Sequence, residues 1–131
     1  AIRYSVAGHP HPVIRRSDGR LDVLDGARSR LLGASAEGAR RPTATGHLAG
    51  GDSLVAFSDG VFEMRGQDYD DGYLALMGRL AAAPDHPDGL CDAALGLTSE
   101  APESGPFRDD VVVLAVRRDP SHVSPGLARL V

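Results

Sequence analysis

Two apolar runs, each with aspartate at one end, constrain this chain more than any other feature. Residues 53–57 read Ser-Leu-Val-Ala-Phe and stop abruptly at Ser58-Asp59-Gly60. That is the pattern of a buried, β-favouring strand ended by a turn. Residues 111–116 begin directly after Asp109-Asp110 and are apolar without alternation, which predicts a central strand covered on both faces. If the two strands are antiparallel neighbours, the end of one lies beside the start of the other. The carboxylates of Asp59 and Asp109 then converge at one rim of a sheet.

Converging carboxylates repel unless a cation lies between them. Hard divalent ions such as Mg²⁺ and Mn²⁺ favour carboxylate and water oxygens, and a pair of them can activate a water and clamp a phosphoryl group. An Asp-Gly pair is equally a common turn, and an Asp before a strand is often a cap or a solvated end. Spacing alone leaves both readings open.

The rest of the chain reads as short strands followed by helices. Strands are expected over 2–7, 13–16, 21–24 and 43–48. Gly8-His9-Pro10-His11-Pro12 is a rigid loop, because its prolines lack donors and oppose helix. Ser17-Asp18-Gly19-Arg20 is a tight-turn signal joining two strands. Residues 25–39 are rich in Gly, Ser and Arg and read as loop, with Leu31-Leu32 as an apolar anchor. Asp70 and Asp71 are expected to cap a helix over 72–83 with Leu74, Met77 and Leu80 inward, stopped by Pro84. A second helix is expected over 87–97 with Leu90, Ala94 and Leu97 inward. Residues 99–107 read as loop. Strands, then two helices, then a strand predict an α+β fold with helices gathered on a largely antiparallel sheet.

Composition narrows the function. The chain has 131 residues, enough for one domain, and a net charge of −4. That charge lacks the basic face a nucleic-acid binder needs. No apolar run approaches the length of a membrane span. Aromatics are 5% and Trp is absent, so the core is expected to be Val, Leu, Ile and Ala. All 14 basic residues are Arg, which excludes Schiff-base and phosphate-loop lysine chemistry. The one cysteine, Cys91, allows no internal disulfide and suits a cytoplasmic setting. It reads as a core residue of the second helix, with no base placed to activate it. His9 and His11 have a spacing that suits zinc, but no further ligand lies near, and a structural loop is the plainer reading. Arg15-Arg16 and Arg117-Arg118 read as solvated strand ends.

These segments also occur in an order that resembles a known family. Ser5-Val6-Ala7-Gly8-His9-Pro10-His11-Pro12-Val13 resembles the "NAGHPPP" block of the SpoIIE/RsbU-type, PP2C-like serine/threonine phosphatases. Leu31-Leu32-Gly33 resembles their "LPLG" element. Gly51-Asp52-Ser53-Leu54-Val55-Ala56-Phe57-Ser58-Asp59-Gly60-Val61-Phe62-Glu63 resembles "GDxLLLYTDGLxE". Arg108-Asp109-Asp110-Val111-Val112-Val113-Leu114 resembles "DDxTLL". The likeness runs over residues 1–118 and leaves 119–131 as a tail.

The resemblance implies an αββα sandwich holding a two-metal Mn²⁺ or Mg²⁺ centre at one edge. It implies hydrolysis of phosphoserine or phosphothreonine by metal-activated water. Asp59 matches the metal ligand of the "TDG" block and Asp109 the C-terminal one. Asp110 would lie beside it, His9 matches a motif of unassigned role, and Gly8 and Gly60 would allow close approach. By analogy the substrate is a phosphorylated anti-sigma-factor antagonist, and the parent protein carries an upstream sensor domain.

The chain departs from the pattern in three ways. Val112 stands where Thr is usual and His11 where Pro is usual. The "GDVxGHG" block, whose Asp bridges the metals, does not occur. The chain opens on Ala1 in strand-like sequence, so that block is expected upstream of it in a longer polypeptide. The fragment alone is then expected to be inactive, with sheet edges covered by a second copy in a homodimer, a swapped element, or the missing piece. The rival reading is a degenerate, non-catalytic module that binds a partner.

Overall fold

The structure is a computed structural model, and it describes residues 1–34, 40–63, 66–99 and 110–121. In chain order the strands are β1 (Ile2–Tyr4), β2 (Val6–Ala7), β3 (Val13–Arg15), β4 (Leu21–Val23), β5 (Arg28–Ser29), β6 (Ala44–Gly46), β7 (Ser53–Phe57) and β8 (Val113–Arg117). Between β7 and β8 lie a single 3-10 turn, Asp59–Val61, and the helices α1 (Tyr69–Ala82) and α2 (Pro87–Ser99). This is the expected α+β arrangement: mainly antiparallel sheets with two helices.

The main sheet has four strands in the order β4-β3-β7-β8, all antiparallel. The turn at residues 17–20 closes the β3–β4 hairpin, with Arg15 opposite Leu21 and Val13 opposite Val23. Two smaller pairings accompany it, β1 with β6 antiparallel and β2 with β5 parallel. The second places a short strand inside the segment read as loop.

Strand periodicity sorts the main sheet into two faces. Val13, Val55, Phe57, Val113 and Ala115 face the helices and join Leu76, Leu80, Leu90, Ala94 and Leu97 in one core. On the opposite face Ile14 is buried and Leu54 and Ala56 are half-buried. Val112, Leu114 and Val116 remain 60%, 57% and 47% exposed. The expectation that residues 111–116 form a central strand is therefore corrected: among the described residues β8 is an edge strand with one covered face.

α1 starts earlier than the pair Asp70-Asp71 suggested. Asp68 is the N-cap, in an extended conformation, and its side chain accepts from the Asp70 amide at 2.9 Å. Asp70 and Asp71 fall in the first turn, where their charge suits the helix dipole. The buried stripe is Gly72, Leu76 and Leu80, and Leu74 is exposed. The helix is turned this way because Gly72 lies on the Phe62 carbonyl: an added Cβ would sit 2.2 Å from that oxygen. α2 buries Gly89, Leu90, Ala94 and Leu97, which matches the expected face, and Cys91 is half-buried on it.

Three expectations about side chains are overturned. The core is not purely aliphatic, since Phe62 meets Phe57, Tyr69 and Tyr73 edge-on, with centroids 6.0, 4.9 and 5.5 Å away. The arginine pairs are not simply solvated. Arg15, 6% exposed, points inward from β3 and donates to the Leu80 and Ala83 carbonyls at 3.1 and 2.9 Å and to Asp85 at 2.9 Å. It thereby satisfies carbonyls that the end of α1 leaves unpaired. Arg117 also pairs with Asp85, and Arg118 donates to the Leu48 carbonyl at 2.7 Å. Leu31 and Leu32 are exposed rather than anchored in a core.

Candidate active site

The antiparallel register of β7 and β8 continues past both strands. The Ser58 amide donates to the Val112 carbonyl at 3.0 Å. The Ser58 hydroxyl donates to the Asp110 carbonyl at 2.7 Å and accepts from the Val112 amide at 2.9 Å. One serine thus clamps the chain leaving β7 to the chain entering β8, beside the residue that follows it, Asp59. Asp109 lies outside the described residues.

Asp59 opens the 3-10 turn. Its carbonyl accepts from the Phe62 and Glu63 amides at 3.0 and 2.8 Å, which curls the chain sharply back toward α1. Its carboxylate accepts from the Gly60 amide at 3.1 Å, is half-buried, and has no arginine paired with it among the described residues. A carboxylate held by one amide and left without a counter-ion keeps lone pairs available for a hard cation.

Asp59 lines a cleft of about 550 Å³. One wall is the loop Gly8, His9, Pro10 and His11; another is the start of α1, with Tyr69, Asp70 and Tyr73. Val23, Asp25 and Arg28 complete it. The expected residues Asp59, Gly8 and His9 therefore meet in one place, with Gly60 adjoining. Asp110 contributes its backbone to the Ser58 clamp.

The loop's position depends on glycine. Gly8 has φ +70°, and a Cβ there would lie 2.4 Å from Leu31 Cδ2. Its amide donates to the Ser29 carbonyl at 3.1 Å, which ties the loop to β5. His9 is exposed, with Nδ1 3.3 Å from the Pro10 carbonyl.

The cleft mixes Asp25, Asp59 and Asp70 with Arg28 and two histidines. Burial pushes the Tyr69 phenol up, and the negative charges of Asp59 and Glu63 push it further. Burial also raises Tyr73. The Tyr73 hydroxyl and His11 Nδ1 are buried with no hydrogen-bond partner among the described residues, a costly state outside functional sites. No three His, Cys, Asp or Glu side chains cluster as a metal site among the described residues. Arg28, Tyr69 and Tyr73 escaped sequence reasoning. Arg28 sits in a composition-biased segment without a motif, whereas Tyr69 and Tyr73, four apart just after the Asp59 block, could have been read as one helix face.

The Gly51-Asp52 pair does different work. Asp52 is 2% exposed and lies at the far end of β7 from Asp59. It accepts from the Ala49 amide at 2.9 Å, the Ser17 amide at 3.2 Å and Arg16 at 2.7 Å, and Arg16 also pairs with Asp22. That network joins the β3–β4 turn to the start of β7.

No helix among the described residues is long and apolar enough to cross a membrane. The sequence model of the family described as Stage II sporulation protein E (SpoIIE) matches residues 1–119. No curated protein matches the sequence. The fold is similar to the crystal structure of the RsbU and RsbW domains of Rv1364c from Mycobacterium tuberculosis. The TM-score is 0.70 at 26% identity over 92% of this chain and 34% of that one. It is similar to the PP2C phosphatase domain with a regulatory-domain fragment of SpoIIE from Bacillus subtilis. Here the TM-score is 0.64 at 23% identity over 89% of this chain and 34% of that one. A third match is the Mn-presoaked SpoIIE phosphatase domain from the same organism, with TM-score 0.57 at 24% identity over 91% and 50% of the two chains. The present chain thus spans a third to a half of the chains it matches.

Proposed function

The chain belongs to the Stage II sporulation protein E family, and from that premise we propose that it is the C-terminal portion of a metal-dependent protein serine/threonine phosphatase. Residues 1–118 supply this portion and 119–131 form a tail. The supporting observation is the Ser58 clamp, which holds the backbone just before β8 against the residue preceding Asp59. This supports a shared rim for the Asp at the end of one strand and the Asp at the start of its antiparallel neighbour.

Asp59 and Asp109 are proposed to hold Mn²⁺ or Mg²⁺, with Asp110 beside them. The uncompensated Asp59 carboxylate fits such ions in donor type and charge. When bound, they would lower the pKa of a water and neutralise a phosphoryl group. The chain's own part is to orient the carboxylate through the Gly60 amide, and to bring a cationic side chain, Arg28, to the cleft that a phosphorylated residue would enter. His9 and the Gly8 loop line the same cleft as the start of α1. The substrate is proposed to be phosphoserine or phosphothreonine on a regulatory protein of the anti-sigma-factor antagonist type, in the cytoplasm and under the control of an upstream sensor domain.

The test is hydrolysis of a small aryl phosphate by this chain alone and joined to the remaining part of a matching domain. The expectation is no turnover for the chain alone and Mn²⁺-dependent turnover for the complete domain. Asp59→Ala should lower the latter by at least about a hundredfold, since even residues behind a metal ligand cost ten- to a hundredfold. Turnover indifferent to Asp59→Ala would remove Asp59 from the site. A complete, folded domain without turnover would favour the non-catalytic, partner-binding reading.

A further inference from the structure

We propose that Ser58 is a positioning residue for a divalent cation at Asp59: its hydroxyl fixes where the chain entering β8 stands beside that carboxylate, and so sets how tightly the ion is held. The inference rests on the reading of Asp59 as a metal ligand.

The backbone alone leaves this place loose. The β7–β8 ladder ends with Phe57 opposite Val113. One further backbone bond follows it, from the Ser58 amide to the Val112 carbonyl at 3.0 Å. Asp59 then turns away in the 3-10 turn, where the Phe62 and Glu63 amides take its carbonyl. The strand ladder therefore stops short of residue 110, and the Ser58 side chain takes over. Its oxygen accepts from the Val112 amide at 2.9 Å, and its proton goes to the Asp110 carbonyl at 2.7 Å. On its own side Asp59 is already held, through the Gly60 amide at 3.1 Å. What is left to fix is the separation between Asp59 and the segment running into β8. Cation sites are sensitive to such a separation: Mg²⁺ holds its oxygens at about 2.0–2.1 Å in a near-ideal octahedron.

The task needs one group on a short stem that gives and takes a hydrogen bond at once. A hydroxyl does both, whereas a carboxylate only accepts and an ammonium only donates. Serine and threonine carry a hydroxyl on Cβ. Valine has the shape of threonine and makes neither bond. Both bonds lie at the solvent-exposed rim, so water can replace them when the hydroxyl is removed. The inward-facing Phe57 and Val113 still join the two strands in the core. Loss of the hydroxyl should thus loosen the site without unfolding the chain. A clamp with a structural role only would change melting and leave cation affinity alone.

The test is a Mn²⁺ titration of the chain, followed by paramagnetic broadening of its backbone amides, a readout that needs no turnover. Mn²⁺ should broaden the Gly60 amide, and Asp59→Ala should remove most of that effect. Ser58→Val should need about tenfold more Mn²⁺ for the same broadening, the scale of residues that orient a metal ligand from behind. Ser58→Thr should match the parent protein. Ser58→Ala, which cannot overcrowd the position, should track Ser58→Val, and circular dichroism should show all three melting cooperatively. Equal Mn²⁺ affinity in the parent, Ser58→Val and Ser58→Ala, with the effect still lost in Asp59→Ala, would overturn this inference and leave the metal reading standing. So would Ser58→Thr behaving like Ser58→Val. Broadening indifferent to Asp59→Ala, or none in the parent, would overturn the metal reading and this inference with it.

Discussion

Asp52 shows how far one buried side chain can organise connections distant in sequence. Burial pushes its carboxyl up, but the Ala49 amide, the Arg16 guanidinium and the Ser17 amide outweigh that and hold it below the usual carboxylate range. A depressed folded pKa means stability that is present above the unfolded value, about 3.9, and lost as pH falls through the lower folded value. Asp52→Asn should therefore cost about 2–3 kcal/mol at neutral pH, the scale of hydrogen bonds to a charged group. The deficit against the parent protein should shrink below about pH 4, as urea unfolding at pH 7, 5 and 3 would reveal. The sequence places Asp52 in a recognisable block without distinguishing its role from that of Asp59. Both are Asp beside an apolar run, and only the tertiary partners separate a structural anchor from an open carboxylate. Arg15 is a milder case. Once Val13 is assigned to the inner face, a period of two carries Arg15 inward as well, and a buried arginine then requires acceptors such as the end of α1 provides.

Among the elements, the position of α1 depends on Gly72. Replacing an interior helical Gly by Ala ordinarily stabilises a helix by about 1 kcal/mol. Here the new methyl would overlap the Phe62 carbonyl at 2.2 Å, and neither partner is a side chain that can swing away. Overpacking of that kind costs about 1–3 kcal/mol, so the sign reverses: Gly72→Ala should lower the melting temperature, whereas Gly78→Ala, with nothing near its Cβ, should raise it. The ends and face of α2 were legible because Pro87 marks its first turn and Leu90, Ala94 and Leu97 share one stripe. Those of α1 were not. Three Asp residues compete for its cap, and its buried face is chosen by a glycine, which leaves no mark in a hydrophobic pattern.

For the whole molecule, β8 is the last strand among the described residues and the floor beneath α2. A chain ending at residue 110 would leave β7 as an edge and uncover the side of α2 that rests on Val113 and Ala115. Fully burying one Val or Leu side chain is worth about 1.5–3 kcal/mol, against a total stability of about 5–15 kcal/mol. The truncated chain should lose its cooperative thermal transition in far-ultraviolet circular dichroism. The flanking aspartates allowed an antiparallel partnership of the two apolar runs to be posed, and the register of β7 and β8 supplies it. Edge or centre was not, because an unbroken apolar strand reads the same whether its second face is covered within the chain or left bare.

The aromatic cluster beside the cleft carries one more consequence. The chain has three tyrosines and no tryptophan, and Tyr69 and Tyr73 both touch Phe62 and line the same cleft as Asp59. No indole is present to mask phenol emission, so most of the intrinsic ultraviolet signal originates at the cleft itself. The molecule carries a built-in optical reporter of whatever enters there.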